Sequence, residues 1–336
     1  MEVTHAIGNA TPAALTGAQV DRVLDLFRNG KTDATLAAYD RDLEAFGRWV
    51  AGQGRSATSD AQGALRALVE AGPIEGRFLV AGWASWMGEQ GDDGAPRFAS
   101  ATIARRLAAV RSAFELARDL GLVSWDLKVA TPRVARLRDV SGMGEGPLRR
   151  VVAHLREDAA GGKAKAVRDY VVALLLAHLA LRRVEVVRLN VADVDLEGGR
   201  VWVLGKGRTE REGMTATPAL VDALRAWLEV RDADGEAPLF VGVDRHGKLR
   251  RGRLTTRSVE RLFKDAASAA GEDPERFSPH KARHTAITTA ARLAGGDLSR
   301  VQRLSRHRDV RTVSIYVDHV EDAQGALSRG LAEAFA

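Results

Sequence analysis

The 336-residue chain contains no cysteine at all. Disulfides and thiolate metal sites are therefore excluded, and the composition suits the reducing cytoplasm. Aromatic residues are scarce, at 5%. The sequence also lacks a Walker-type glycine loop, which would hold a nucleotide phosphate.

Long apolar runs are missing as well. A membrane-spanning helix needs about 20 apolar residues. The most apolar stretch, residues 171–181, is shorter, contains His178 and runs into Arg182. The N-terminus has no basic flank followed by an apolar core, so no signal peptide is predicted. These features predict a soluble, cytoplasmic protein.

Positive charge exceeds negative charge, and the excess is uneven. The chain has 50 Lys and Arg residues against 44 Asp and Glu. Residues 1–100 carry 9 basic against 13 acidic side chains, whereas residues 101–150 carry 10 against 5. A concentrated basic stretch is typical of proteins that bind polyanions such as nucleic acid. A solvated charged surface explains the same stretch equally well.

Apolar residues recur at helical spacing through the first third of the chain. After a flexible tail at residues 1–17, this pattern predicts a small all-helical domain over residues 18–132. Residues 133–146 contain Gly, Ser and Arg without a sustained period, and they are interpreted as a basic linker. The predicted function of the helical domain depends on the motifs that follow.

Residues 147–336 predict a second domain, mostly helical, with a tail helix at its end. The segment 165–189 is predicted to be helical. Arg200–Leu204 alternates as a strand and is expected to pair with residues 209–217 through a Gly-Lys-Gly turn. The predicted fold class is therefore mainly α, with a helical N-terminal domain and a mostly helical second domain that has a small antiparallel β-sheet.

Six positions of the second domain carry groups suited to chemistry on an anion. Each has an ordinary explanation by itself. Arg182 would match the dipole at a helix C-terminus, Lys206 would be solvated at a hairpin tip, and Tyr316 would be a core residue. A function is therefore predicted only from the six residues together, which are Arg182, Lys206, His280, Arg283, His307 and Tyr316.

The segment His280-Lys281-Ala282-Arg283-His284 allows two interpretations. His280 and His284, four residues apart, share a helix face and would suit zinc, but Lys281 replaces the glutamate of the zinc-protease motif. No obvious third ligand lies nearby in the sequence. His280 and Arg283 also share a face, and a fixed cation beside an imidazole suits a phosphate better than a metal. We therefore expect no metal and no cofactor.

The order and spacing of the set resemble the tyrosine recombinases of the phage-integrase type. The family's Gly-Leu-Arg, with an acid three residues after the Arg, appears as Ala180-Leu181-Arg182-Arg183-Val184-Glu185. Its Gly-Lys-Gly hairpin appears as Gly205-Lys206-Gly207. Its His-x-x-Arg-His-Thr helix start reads His280-Lys281-Ala282-Arg283-His284-Thr285. Its Leu-Gly-His block, followed nine residues later by Tyr, appears as Ser305-Arg306-His307 and then Ser314-Ile315-Tyr316.

Three positions depart from the family pattern. Ala180 replaces a Gly, and Ser305 and Arg306 replace the Leu and Gly before His307. None of these changes removes a reacting group, and Arg306 adds charge that implies either an extra phosphate contact or altered packing. The helical entry at residues 27–50 and the tail resemble the phage recombinase Cre, in which a Trp stands at the position of His307. The sequence is compatible with either a Cre-like or a Xer-like member of the family.

The resemblance implies a site-specific DNA recombinase that cleaves and rejoins strands through a 3′-phosphotyrosyl intermediate, without metal or ATP. It implies that Tyr316 is the nucleophile and that Arg182 and Arg283 grip the phosphate oxygens with paired hydrogen bonds. His307 would donate a further hydrogen bond. The alternatives are a type IB topoisomerase and a non-catalytic DNA-binding protein on the same scaffold.

The remaining roles concern proton transfer. A free tyrosine has a pKa of about 10, so the nucleophile needs a base, and His280 is the candidate acceptor. By resemblance, Lys206 would protonate the leaving 5′-oxygen, and Glu185 would hold Arg182 in place.

The expected partner is double-stranded DNA with a specific recombination site, bound by a tetramer. The helical N-terminal domain resembles the family's core-binding domain. The tail helix, residues 323–335, is expected to dock on a neighbouring protomer or else on its own domain. Most DNA contacts are expected to reach phosphates, from arginines on the last helix of the first domain, the linker and a later basic loop: Arg105, Arg106, Arg111, Arg118, Arg133, Arg136, Arg138, Arg250, Arg251 and Arg253.

Overall fold

The computed structural model describes residues 16–29, 33–91, 94–132, 142–205, 208–320 and 323–335. In these ranges helices predominate and the strands are few and short, so the predicted mainly α fold class is confirmed. The chain divides into two compact units, Met1–Arg136 and Leu137–Ala336. None of the helices within the described ranges combines the length and apolarity that a membrane crossing requires.

The first unit is helical throughout its described part. Its first helix begins with a capping box, in which Thr16 Oγ1 accepts a hydrogen bond from the Gln19 N–H and Gln19 Oε1 accepts one from the Thr16 N–H at 2.9 Å. Phe46 and Trp83 meet at the centre of the core, with ring centroids 4.9 Å apart. The helices are α1 (Gly17–Arg28), α2 (Asp33–Gly52), α3 (Ala61–Glu70), α4 (Gly72–Gly88) and α5 (Ser100–Asp119).

The second unit surrounds one buried helix. Residues 171–176 of this helix are all buried, and a helix that is apolar on every side belongs in a core. The helices of the unit are α6 (Glu145–Ala160), α7 (Ala164–His178), α8 (Arg183–Arg188), α9 (Pro218–Arg231), α10 (Thr256–Ala269), α11 (Pro279–Leu293), α12 (Leu298–Ser305), α13 (Val310–Val320) and α14 (Ala323–Ala334). The buried helix is α7, against which α6, α9 and α11 pack.

The second unit has two small antiparallel sheets in its described part. The first has the order β1 (Val194–Asp195), β2 (Arg200–Leu204) and β3 (Arg211–Thr215), with Leu204 paired to Arg211. The second pairs β4 (Val241–Val243) with β5 (Leu249–Arg253). Sequence analysis predicted the β2–β3 pairing and missed the second sheet, because β5 (Leu-Arg-Arg-Gly-Arg) has no apolar alternation.

The segment 165–189, which the sequence predicted to be helical throughout, is interrupted. α7 ends at His178, Ala180 takes a left-handed backbone conformation with φ of 47°, and α8 begins at Arg183. Arg182 is extended and caps α8, so the interpretation of Arg182 as a residue at a helix C-terminus is wrong. Apolar periodicity continues across the interruption because the residues of both helices and the turn face the same core. The break places Arg182 at the start of a helix.

Candidate active site

A cleft of about 760 Å³ in the second unit gathers side chains that are far apart in the sequence. Its lining includes Arg182, His280, Arg283, His307 and Tyr316, which are five of the six residues singled out from the sequence. The sixth, Lys206, lies outside the described residues.

Glu185 holds Arg182 through both its backbone and its side chain. Glu185 Oε2 accepts a hydrogen bond from the Arg182 N–H, and Glu185 Oε1 accepts one from Arg182 Nη1, each at 2.8 Å. Burial by itself would raise the pKa of Glu185, but Arg306 and Arg182 hold it below its usual range. The ionised carboxylate therefore fixes Arg182, whose side chain keeps 27% of its surface exposed.

Arg306 pairs with the same carboxylate. Its Nη2 donates to Glu185 Oε2 at 2.7 Å, and each of the two side chains is 1% exposed. Its Nη1 donates to the Leu179 carbonyl at 3.3 Å and contacts Met214 Sδ. Arg306 also has a positive φ, of 54°, at the end of α12. The sequence allowed either an extra phosphate contact or altered packing at Arg306. The structure shows altered packing, because protein encloses the guanidinium.

Arg283 lies on α11 beneath the cleft and is itself only 4% exposed. Its guanidinium donates to the carbonyl oxygens of Ala180 and Ser305. Burial, followed by the nearby charges of Arg182 and Arg306, lowers its pKa to about 9. Arg283 is therefore still a cation at neutral pH, oriented by two backbone carbonyls.

Tyr316 on α13 is 3% exposed and directs its hydroxyl towards α11. The hydroxyl oxygen lies 2.6 Å from Nδ1 of His284, and the two rings stack with centroids 5.4 Å apart. His284 Nε2 in turn lies 2.6 Å from His280 Nε2. From the sequence, His284 was named in the zinc alternative and in the His-x-x-Arg-His-Thr motif, but no role was predicted for it, so its contact with Tyr316 was missed. The i, i+4 spacing of the two histidines was the available signal.

His307 follows α12 and stacks on Tyr316 with a centroid distance of 5.9 Å. Its Nδ1 lies 3.0 Å from Ser305 Oγ, and its Nε2 lies 3.5 Å from Arg283 Nη2. Burial lowers the pKa of His307 to about 4, and the charges of Arg283 and Arg182 act in the same direction. In the absence of a bound anion, His307 is therefore neutral at pH 7.

The first turn of α11 forms one wall of the cleft. Ser278 caps the helix by accepting a hydrogen bond from the Lys281 N–H at 3.2 Å, and Pro279 occupies the first helical position. A helix N-terminus carries partial positive charge. With Arg182 and Arg283 nearby, the electrostatic potential in the cleft favours an anion.

A metal site would need several His, Asp or Glu side chains arranged around one point. No group of three or more His, Asp or Glu side chains in the described part of the second unit has a geometry that would hold an ion. In the pair considered for zinc, the Nε2 atom of His280 lies at hydrogen-bond distance from the Nε2 atom of His284 instead.

The arginines of α5 that were expected to reach DNA are all engaged within the first unit. Arg105 and Arg106 pair with the buried carboxylate of Asp42. Arg111 donates to the Thr131 hydroxyl, and Arg118 pairs with Asp126. These contacts orient the side chains, and Arg105 still has 45% of its side-chain surface exposed.

The other expected DNA contacts fall into three groups. Arg250, Arg251 and Arg253 are all exposed on β5, and within the described residues no hydrogen bond involves the guanidinium of Arg250 or Arg251. Arg253 is committed to its own unit, because its guanidinium donates to the carbonyls of Val187 and Leu189 and to Asn190 Oδ1. The linker residues Arg133, Arg136 and Arg138 lie outside the described residues.

The electropositive cleft combines two guanidiniums, imidazoles and a phenol, and these groups together suit a reaction on an anion. The guanidiniums offer charge-assisted hydrogen bonds to the oxygens of a tetrahedral anion, and the phenol beside an imidazole is a nucleophile with an adjacent base.

Comparison with known proteins identifies the family. Residues 148–322 match the phage integrase family. A tyrosine recombinase of Synechococcus elongatus is 33% identical over 98% of this chain and 99% of its own length. The tyrosine recombinase XerC of Corynebacterium efficiens is 33% identical over 91% of this chain and 85% of its own length. The chain belongs to the phage integrase family, the tyrosine-type site-specific recombinases, and these relatives support a Xer-like over a Cre-like member.

Solved structures share the fold at lower sequence identity. XerH recombinase bound to a palindromic difH substrate, in a post-cleavage complex, has a TM-score of 0.64 and 18% identity, covering 95% of this chain and 85% of that one. The Tn1549 transposon integrase in complex with transposon right end DNA also has a TM-score of 0.64, with 17% identity, covering 95% of this chain and 100% of that one.

Proposed function

We propose that the protein cleaves and rejoins DNA strands at a specific site through a 3′-phosphotyrosyl intermediate, with neither metal nor ATP. The observation that carries this proposal is the position of the Tyr316 hydroxyl, in the same cleft as Arg182, Arg283 and His307. Rejoining needs no external energy source, because the phosphotyrosine linkage conserves the energy of the broken phosphodiester. A substrate of duplex DNA implies a cytoplasmic location.

The cations serve the transition state. Attack on a phosphodiester gives a pentacoordinate phosphorus with more negative charge on its non-bridging oxygens. Arg182 and Arg283 are held by a carboxylate and by two carbonyls respectively, so they need little reorganisation when this charge develops. His307 adds a third donor. Each donor contributes about 3 kcal/mol of transition-state stabilisation, by analogy with oxyanion holes.

The covalent step exchanges one phosphorus–oxygen bond for another. The Tyr316 oxygen bonds to phosphorus, the bond from phosphorus to the 5′-oxygen breaks, and the phenolic proton passes to a base. Lys206 delivers a proton to the leaving 5′-oxygen. The reverse sequence, started by a new 5′-hydroxyl, reseals the strand.

The two units together supply the grip on DNA. We assign the helical first unit to core DNA binding, with the arginines of α5 facing phosphates, and we assign Arg250 and Arg251 to the same purpose in the second unit. XerH and the Tn1549 integrase were both solved with DNA. Phosphate contacts of this kind position a protein on duplex and make binding dependent on salt.

The tail helix α14 suits assembly of several protomers on DNA. Leu331 on α14 and Phe335, directly after the helix, are 54% and 84% exposed. Apolar side chains at this exposure leave a helix face available to another protomer. We propose docking of α14 on a neighbour in a tetramer, and the alternative, docking on its own domain, would bury these two residues.

A nicked suicide duplex tests the chemistry. Cleavage near the nick releases a short fragment that diffuses away, so the covalent protein–DNA adduct accumulates and is counted on a denaturing gel. Wild-type protein should form the adduct, and Tyr316→Phe should form none while binding the duplex with unchanged affinity. Adduct formation by Tyr316→Phe at the wild-type rate would refute the proposal.

Strand exchange distinguishes the recombinase from a type IB topoisomerase. Two duplexes that share the site but carry different labels should yield recombinant products with this protein. Relaxation of supercoiled plasmid without recombinant products would support the topoisomerase instead. The exposed face of α14 favours the recombinase, because relaxing one duplex requires no second protomer.

A further inference from the structure

A chain of hydrogen bonds leads from the nucleophile to the protein surface. It begins at the Tyr316 hydroxyl, crosses the ring of His284 from Nδ1 to Nε2, and ends at Nε2 of His280, with both contacts at 2.6 Å. Tyr316 and His284 are buried, at 3% and 8% exposure, whereas His280 is exposed. The path therefore connects a buried phenol to an imidazole that reaches solvent.

The tautomers along this chain follow from the contacts. A neutral imidazole has one N–H donor and one acceptor nitrogen. To accept from the Tyr316 hydroxyl, Nδ1 of His284 must be unprotonated, so its proton lies on Nε2 and is donated to His280. His280 then carries its own proton on Nδ1. Each donor faces an acceptor, and the arrangement is set to move a proton outwards.

We propose that His284 is a catalytic residue that takes the proton of Tyr316 during attack and hands its own Nε2 proton to His280. As the tyrosine oxygen bonds to phosphorus, its O–H bond breaks and Nδ1 of His284 gains that proton. The Nε2–H bond of His284 breaks in turn, and His280 becomes an imidazolium. The bond from phosphorus to the 5′-oxygen breaks with its electron pair, and a separate donor protonates that oxygen. This inference rests on the proposed function, and it assigns the first proton transfer to His284 instead of His280.

The positive charges around these hydrogen bonds explain why proton transfer through two histidines is more favourable than transfer to one. Arg182, Arg283 and His307 line the cleft with Tyr316, and the buried Arg306 pairs with Glu185. A proton left on the buried His284 ring would add to this positive charge in a poorly solvated place. Transfer to His280 moves the charge to solvent.

His280 has features that help it pass the proton on. It lies in the first turn of α11, where the helix dipole opposes a cation and so favours release to water. Among the described residues that line the cleft, the acidic one is Glu260, which is paired with Arg183 at 2.8 Å. His280 thus ends the relay as a carrier that exchanges with solvent.

A duplex with sulfur in place of the bridging 5′-oxygen isolates this step. Sulfur leaves without a proton, so the rate of adduct formation no longer depends on the general acid and reports on the nucleophile and its base. On this duplex Lys206→Ala should react at nearly the wild-type rate. His284→Gln should remain slower than wild type by about 100-fold, the usual minimum for loss of a general base.

The pH profile separates a base from a packing role. The wild-type rate should level off once the pH is high enough for His284 to act as a neutral base, whereas the rate of His284→Gln should keep rising towards the tyrosine pKa of about 10. A residue that only packs against Tyr316 would lower the rate without changing the shape of this profile. DNA binding and melting temperature should stay at wild-type values in the variant.

His280→Ala completes the test at an exposed position where folding is not at risk. Water can take the proton from His284 in this variant, so the relay predicts a smaller loss than in His284→Gln and recovery with added imidazole. A full loss in His280→Ala would overturn the inference, as would a wild-type rate and pH profile in His284→Gln. Both results would leave the proposed function intact, whereas failure of the wild type to form any adduct would refute that function itself.

Discussion

Two residues near the cleft have a backbone conformation that usually belongs to glycine. Ala180 and Arg306 have φ values of 47° and 54°, and both stand where the family pattern has Gly. A side chain in this region costs about 1–2 kcal/mol. The carbonyl of Ala180 accepts from Arg283, and the guanidinium of Arg306 is buried on Glu185. The surrounding contacts therefore maintain both conformations against their local strain.

Replacement of Arg306 should destabilise the protein strongly. Arg306→Met keeps the length of the side chain but leaves the buried Glu185 carboxylate with one cationic partner. Breaking a buried ion pair in this way costs about 3–5 kcal/mol, measured as the free energy of unfolding in urea. Arg303→Met, at an exposed position of the same helix, should change it by less than about 0.5 kcal/mol. Equal effects of the two substitutions would contradict the role given to Arg306.

His307 should make the protein less stable in acid. Its pKa is about 4 in the folded state and about 6.5 in the unfolded chain. Unfolding therefore takes up a proton below pH 6.5, and stability decreases as the pH falls from 6.5 through 4. His307→Gln should lose part of this decrease, seen as a smaller drop in melting temperature between pH 7 and pH 4.5. His246→Gln, at an exposed turn, serves as the control and should follow the wild-type curve.

At the scale of elements, the site residues lie where helices begin, end or are interrupted by a turn. The turn between α7 and α8 presents Arg182, the capped start of α11 presents His280 and Arg283, and the end of α12 presents His307. Helix ends and turns carry these groups, and the helices behind them supply the packing that keeps them in place.

The tail helix α14 should be dispensable for folding and necessary for assembly. Deletion of residues 323–336 removes Leu331 of α14 and the adjacent Phe335, which are exposed, so neither of these two residues takes buried apolar surface with it. The melting temperature should change by less than about 2 °C, which corresponds to less than 1 kcal/mol. Cooperative binding to a duplex with two half-sites should be lost, while binding to a single half-site should remain in a gel-shift titration. A large fall in melting temperature would show instead that the helix packs on its own domain.

At the scale of the whole molecule, DNA binding depends on which arginines are available to phosphate. Arg250→Ala and Arg251→Ala should each lower the slope of log affinity against log salt by about 0.9, the value for one phosphate contact. Arg253→Ala is the matched comparison on the same strand, and because its guanidinium binds Val187, Leu189 and Asn190 it should lower stability and leave the slope unchanged. The reverse pattern would mean that Arg253 is the phosphate contact.

The sequence by itself determined the fold class, the family and the candidate site residues. Apolar residues at helical spacing predicted the helices, because each turn of a packed helix buries a side chain in the core. The family was predicted from the spacing of Arg182, His280, Arg283, His307 and Tyr316, because each motif lies within a short stretch of sequence. The prediction of a continuous helix over 165–189 was wrong, and the second sheet was missed. Apolar periodicity does not reveal a single residue in a left-handed conformation, nor a strand whose apolar and polar residues do not alternate.

Only the tertiary structure decided which groups touch. The hydrogen bond from Tyr316 to His284 joins residues 32 positions apart, and the ion pair of Glu185 with Arg306 joins residues 121 apart. No local pattern encodes such contacts, because they depend on how α8, α11, α12 and α13 pack around one cleft. Burial likewise fixes the ionisation of His307 and Arg283, since the cost of removing a charge from water exists only once the chain has folded.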